Sequence, residues 1–227
     1  MAKNVVEKVD DQVKINTLLV SVSDKSGLDT LIPGMIAVNP DLVILSTGGT
    51  FARIKEILGP GADPHLRQVS EYTGQPETQG GLVKTLDFKI YLGLLTETYN
   101  AAHQADLART NARPIDMVVV NLYPFAQTIA RPDMTVENAR GNIDIGGPTM
   151  IRAAAKNFIR VASVTNPDNY PDILEKLTAG KGCLTLTDRY DLATRAFEHT
   201  AAYDRAIADY LAGTTGTALS SCYKPGA

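Results

Sequence analysis

Four short runs along the chain are apolar with little polar alternation: Leu18–Val22, Leu42–Leu45, Met117–Leu122 and Val161–Thr165. Each is rich in Val, Ile or Leu, the pattern of parallel strands covered on both faces. Between them the spacing turns helical. Gly27–Ile36 and Phe51–Leu58 each follow a strand across a short Ser/Thr/Gly turn, and Leu94–Ala108 leads through Pro114 into the third strand. Pro148 opens a helix through Met150, Ile151 and Ala153–Ala155, proline being suited to a first turn. Asp168–Leu177 is amphipathic. Asp188–Leu211 carries Leu192, Ala196, Tyr203, Ile207 and Tyr210 on helical steps, with Gly213 as its stop. This alternation predicts a three-layer α/β/α fold with a mainly parallel sheet and a C-terminal helical extension. Residues 1–16 and 212–227 lack periodicity and are expected to be loose tails around a domain of residues 17–211.

Composition excludes some classes without naming a chemistry. A chain of 227 residues can bury a core without disulfides or a metal. Its 22 Lys and Arg against 25 Asp and Glu leave a net charge of −3, which argues against broad binding to nucleic acid or membrane. No run approaches the ~20 apolar residues of a spanning helix, and MAKNVVEKVDDQVK has no signal-peptide core. Cys183 and Cys222 make no metal spacing, and His65, His103 and His199 are scattered. A cytoplasmic, metal-independent protein is expected.

In open parallel sheets, ligands bind beyond the carboxyl ends of the strands. The first strand runs into Ser21-Val22-Ser23-Asp24-Lys25-Ser26-Gly27, and the second into Ser46-Thr47-Gly48-Gly49-Thr50. Each joins hydroxyls and glycine to a helix N-terminus, whose free N–H groups and dipole favour a phosphate. Lys25 adds a full charge. Either loop alone also reads as an ordinary turn with an N-cap; two at adjacent strand ends favour an anion site. The third strand ends in Asn121-Leu122-Tyr123-Pro124-Phe125, which puts Asn121 and Tyr123 near one rim. A tyrosine there can donate a hydrogen bond, stack on a flat ring, or simply pack on a helix. Asp144 precedes the pair Gly146-Gly147, a place for a site carboxylate. Arg152 and Lys156 share a helical face, as a solvated stripe or as site cations. Lys84 lies in Gly80-Gly81-Leu82-Val83-Lys84-Thr85, and spacing alone does not set it above a surface lysine.

Taken together, SVSDKSGL, LSTGGT, VSEYTGQPE, GGLVKTL, VVVNLYPF, NIDIGGPTMIRAAAKN and RAFEHTAAYDRAIADYL resemble the IMP cyclohydrolase family, in family order over residues 17–211. That family is the N-terminal half of a bifunctional purine-biosynthesis enzyme that also carries a formyltransferase. The resemblance implies a methylglyoxal-synthase-like fold, a homodimer, and no metal or organic cofactor. It also implies the ring closure of 5-formamidoimidazole-4-carboxamide ribonucleotide (FAICAR) to IMP with loss of water, a cyclic amidine hydrolase working in the closing direction. By motif, Lys84, Tyr123, Asp144 and Lys156 are the implied catalytic residues. Lys84 and Tyr123 would orient and polarise the formamido group, and Asp144 and Lys156 would move protons. Ser23, Lys25, Ser26, Thr47, Gly48, Gly49 and Thr50 would hold the 5′-phosphate and ribose, with Thr85, Asn121 and Gly146 also on the substrate. Positive charge should then gather at Lys25, Lys84 and Lys156 in one small pocket of an acidic protein.

One loop departs from the family pattern, GRVKTLHPxxHxG. The family arginine is Leu82 here, its His-Pro is Asp87-Phe88, and its later histidine is Tyr91. Losing the arginine removes a charge-assisted contact, for which Lys89, Arg53 and Arg152 are candidate substitutes. Two rival readings are a non-catalytic module that binds a phosphorylated effector, and a lyase acting on a triose phosphate. NLYPF and IDIGGP–AAAKN fit the cyclohydrolase better. The chain is too short for a formyltransferase half, so a separate formylating enzyme is expected to supply the substrate.

Overall fold

The structure, a computed structural model, describes residues 5–75 and 84–224. A short strand β1 (Gln12–Lys14) precedes β2 (Thr17–Val22), α1 (Leu28–Val38), β3 (Val43–Ser46), α2 (Gly48–Leu58), β4 (Leu66–Gln68) and α3 (Val69–Thr73). Then come α4 (Phe88–Leu95), α5 (Ala101–Thr110), β5 (Met117–Asn121), α6 (Phe125–Ile129), α7 (Val136–Gly141) and α8 (Gly146–Lys156). The chain closes with β6 (Ala162–Val164), α9 (Tyr170–Ala179), β7 (Cys183–Thr185), α10 (Leu186–Gly213) and α11 (Gly216–Cys222).

The main sheet has the order β4-β3-β2-β5-β6, and each neighbouring pair is parallel. The chain starts at the centre, moves to one edge, then returns to the far side of β2. The switch point therefore lies between β2 and β5, where Val22 stands opposite Asn121. Side chains alternate across the sheet because successive strand residues point to opposite faces. Leu18, Val20, Val22, Met117 and Val119 pack with α1, α2 and α9, while Leu19, Val118 and Val120 pack with α4, α8 and α10. Both layers are apolar, which explains runs without polar alternation.

All four expected strands are present, each within a residue or so of its expected bounds. The expected helix Leu94–Ala108 is two helices, α4 and α5. Asn157 Nδ2 donates to the carbonyls of Leu94 (2.7 Å) and Thr96 (2.9 Å), and Arg160 Nε donates to Thr96 O at 3.0 Å. These distant side chains satisfy the last carbonyls of α4 and end it; Asn100 then caps α5 by accepting from Ala102 N and His103 N. Strand β4 has no apolar signature in the sequence because it carries one buried apolar residue, Leu66.

Neither tail is loose throughout. Gln12–Lys14 pairs antiparallel with β7, and Ile15 is 2% exposed. Arg189, fully buried in α10, donates to the carbonyls of Asp10, Asp11, Phe158, Ile159 and Leu184 and so clamps the N-terminal segment. Within 212–227, α11 forms on a Thr215 cap. These partners lie far away in sequence, beyond the reach of local periodicity.

Candidate active site

The crevice at the switch point is built by side chains that tie one strand end to the next. Asn121 Oδ1 accepts from Ser23 N (2.7 Å) and Asp24 N (2.9 Å), while its Nδ2 donates to Asp24 O (2.8 Å). Its amide thus holds the β2–α1 loop. Thr50 does similar work across the crevice, accepting from Val22 N and donating to Val22 O, both at 3.1 Å. The Ser26 side chain, and after it the Ser26 N–H that donates to Asp24 Oδ1, hold the exposed Asp24 carboxyl below its usual range. Ser23 is half-buried, whereas Lys25 and Ser26 are exposed at the lip.

Helix α2 points its N-terminus into this crevice. Thr47 is its cap residue but makes no side-chain cap bond, and the first turn holds no acid. Gly48 sits at φ +49, which an L side chain rarely adopts. The Lys84 ammonium lies 3.5 Å from where a Gly48 side chain would begin, and Lys25 Cε lies 3.8 Å from the same point on Gly49. Two lysines therefore stand over one helix N-terminus. Neither forms an ion pair among the described residues.

The N-terminus of α8 forms the other wall. Asp144 Oδ1 accepts from Gly147 N at 3.0 Å. A side chain at Gly147 would press on Asp144 Oδ2 and Leu122 and force both to shift, so glycine keeps the Asp144 carboxyl where it is. Burial pushes the Asp144 carboxyl above its usual range, while bonds from Gly147 and Gly146 N–H pull it partly back. Thr85 is buried, and its Oγ1 lies 2.8 Å from where a Gly146 side chain would begin. The dipeptide Lys84-Thr85 thus spans both walls, the ammonium at α2 and the hydroxyl at α8. Tyr123 stands on the rim, 57% exposed, just after the end of β5.

Lys156 is not brought to this place. It ends the eleven-residue helix α8 whose first residue is Gly146, so it lies about 15 Å down the helix axis, toward the amino ends of the strands. The expected cluster of Lys25, Lys84 and Lys156 is two lysines, because α8 runs antiparallel to the sheet and carries Lys156 away. The three candidate substitutes for Leu82 are engaged elsewhere. Lys89 donates to Tyr72 O at 3.4 Å, Arg53 pairs with Glu56 at 2.8 Å, and Arg152 lies over the Phe197 ring at 5.4 Å. Leu82 itself, with Gly80, Gly81 and Val83, falls outside the described residues. Asp87 has a structural job: its Oδ1 accepts from Lys89 N at 2.7 Å and starts α4.

Two neighbours of Asp144 were not singled out as site residues. The Tyr203 hydroxyl accepts the Asp144 backbone N–H at 2.8 Å. The Tyr91 hydroxyl is buried close to Thr149, and burial, with the Asp144 charge adding and the Thr149 hydroxyl opposing, pushes it up to about 12. Sequence carries only Tyr203's place on an apolar stripe, not the target of its hydroxyl. Among the described residues no cluster of His, Cys, Asp and Glu could hold a metal. A cavity of about 440 Å³ lies away from these residues, between Val5–Asp10 and Glu97–Ala101.

Residues 37–149 match the family described as MGS-like domain, and residues 154–224 match AICARFT/IMPCHase bienzyme. A bifunctional purine biosynthesis protein PurH of Prochlorococcus marinus (strain MIT 9211) is 49% identical over 193 residues, which cover 85% of this chain and 36% of that protein. The PurH of Synechococcus sp. (strain CC9605) is 48% identical over 194 residues, 86% of this chain and 36% of its own length. The chain thus spans about a third of these curated relatives. The crystal structure of ForH matches with a TM-score of 0.71 and 30% identity, covering 85% of this chain and 96% of that one.

Proposed function

Since this chain belongs to the AICARFT/IMPCHase bienzyme family, in which it carries the MGS-like domain, we propose that it is an IMP cyclohydrolase that closes FAICAR to IMP with loss of water. The observation that carries the reading is Lys84-Thr85, which spans two helix N-termini with Asp144 beside the second.

Ring closure needs a carboxamide nitrogen to attack the formyl carbon within one molecule, so fixing the two groups in contact removes much of the barrier. A new C–N bond forms, the formyl oxygen becomes an oxyanion, and the attacking nitrogen gives up a proton. A second proton then leaves the former formamide nitrogen as the oxygen departs in water. No electrons are transferred to or from an outside group, so the stoichiometry demands no redox cofactor.

The phosphate is assigned to the α2 N-terminus with Ser23, Lys25, Ser26, Thr47, Gly48 and Gly49, since free N–H groups, hydroxyls and an ammonium meet there. Thr50 and Asn121 are assigned to holding these loops, because their polar atoms are occupied by backbone. Lys84 is assigned to the formyl oxygen: its neighbour Thr85 packs at Gly146 beside Asp144, and Lys25 already serves the phosphate. Tyr123 stacks on or bonds to the formamido group from the rim. Asp144 takes the carboxamide proton and returns it to the departing oxygen; a carboxyl raised by burial is suited to both steps. The carried-over role of Lys156 has no place in the geometry of a single chain. A homodimer and a cytoplasmic location complete the proposal.

Incubating the protein with FAICAR and following IMP by ultraviolet absorbance and chromatography tests it. Turnover is expected. Tight nucleotide binding without IMP would instead make it an effector-binding module, and methylglyoxal from dihydroxyacetone phosphate would make it the lyase.

A further inference from the structure

We propose that Tyr203, far along α10, is a positioning residue for the reaction assigned above: it holds Asp144 through its main chain and, through Phe125, the loop that carries Tyr123. The proposal rests on that assignment for its kinetic consequence. Its structural half stands alone.

Tyr203 is 8% exposed, and the one hydrogen bond its hydroxyl makes to a described residue is the 2.8 Å bond from Asp144 N. Asp144 is therefore held twice, by Tyr203 at its main chain and by Gly147 N–H at its carboxyl. A phenylalanine would fill the same apolar space, and a hydroxyl buried there costs free energy unless it is bonded. The hydroxyl is thus explained by Asp144 and not by packing. The ring has a second contact. Phe125, 1% exposed, meets Tyr203 edge-on with centroids 6.2 Å apart and Tyr210 edge-on at 5.9 Å. Phe125 N donates to Tyr123 O at 2.8 Å, so the buried ring fixes the turn from which Tyr123 leaves the rim.

The two loops follow different elements, one after β5 and one after α7, yet both rest on one helix. Helix α10 suits this work. It is 28 residues long, starts in a Thr185–Asp188 capping box, and is pinned at its base by the five carbonyls that Arg189 binds. Its foot is rigid, and Tyr203 transmits that rigidity to the catalytic rim.

Tyr203→Phe keeps the ring contact and removes the acceptor. In the full chain, kcat for ring closure should fall about tenfold with KM within about twofold, as expected when positioning rather than binding is lost. The Asp144 amide should exchange with deuterium at least about tenfold faster, the signature of a lost hydrogen bond. Phe125→Leu keeps the hydroxyl and tests the other arm: kcat should fall again with KM little changed, while the Asp144 amide stays protected. Wild-type kcat or wild-type Asp144 exchange in Tyr203→Phe would overturn the proposal. If the wild-type chain makes no IMP, the functional assignment fails and amide exchange alone decides the positioning. If Tyr203→Phe does not fold, Phe125→Leu decides: a rise in KM at unchanged kcat would overturn the proposal.

Discussion

At the amino ends of β2 and β5, buried charge is answered completely. Asp116 Oδ2 accepts from Asn16 N (3.0 Å) and Thr17 N (2.9 Å), and its Oδ1 meets Arg160 Nη1 at 3.1 Å. Arg160 spends its other donors on the carbonyls of Thr96 and Gly93. At the carboxyl ends of the same strands the opposite holds. Lys25 and Lys84 have no ion pair among the described residues, α2 has no side-chain cap, and Asp144 is half-buried without a cation beside it. Both ends join an aspartate to basic side chains, so the presence of charge does not by itself separate scaffold from site. Charge pairing does: charges met by an opposite charge hold the fold, and charges left without one among the described residues are available to a ligand.

The comparison breaks most easily at its satisfied end. Arg160→Met should cost about 3–5 kcal/mol in denaturant unfolding, since it strands the buried Asp116 carboxylate. At the open end Lys84→Ala should lower kcat about 10²–10³-fold, the usual loss for one donor aimed at a developing oxyanion, with thermal stability unchanged. Unfolding of Lys84→Ala well below the wild-type temperature would erase the distinction between the ends.

Asp144→Asn should lower kcat about 10²-fold and yet leave the fold as stable or more so at neutral pH. The sign follows from linkage. Its folded pKa lies above the unfolded 3.8, so its contribution to stability is greatest below pH 3.8 and is lost as pH rises through the folded pKa. Thermal melts against pH should therefore show the variant gaining on the wild type as pH rises past that point. A variant that loses ground with rising pH would show Asp144 to be stabilised by an unseen partner. Lys25→Ala should weaken nucleotide binding about tenfold, as for one charge-assisted contact, with kcat nearly unchanged and a shallower salt dependence. Lys156→Ala should be the smallest, within about twofold in kcat, because α8 carries that residue to the satisfied end. A loss equal to that of Lys84→Ala would join the two ends by placing Lys156 in the site of a second copy.

Much of the site was legible because its loops are short and local. Strand, Ser/Gly turn and helix N-terminus follow one another within ten residues, so the loops Ser23–Ser26 and Thr47–Thr50 at the crevice can be read directly from chain order. The aromatic and acidic rim, Tyr123 and Asp144, was legible through motif. What escaped was every role set by a partner far along the chain. Asn121 was expected on the substrate, yet its amide is spent on a loop 97 and 98 residues away. Tyr203 was seen as one apolar step in a helix, while its hydroxyl serves Asp144 across 59 residues.

The sequence alone determined the layered α/β architecture and the strand ends whose loops carry hydroxyls, glycine and lysine, because periodicity and turn chemistry act over a few residues. Only the tertiary structure decided which of those residues remain free. Asn121 and Thr50 are consumed by the scaffold, Lys25 and Lys84 converge on one helix N-terminus, and Lys156 is carried away. A hydrogen bond depends on where two groups meet in space, and chain spacing does not encode that once the partners belong to different elements.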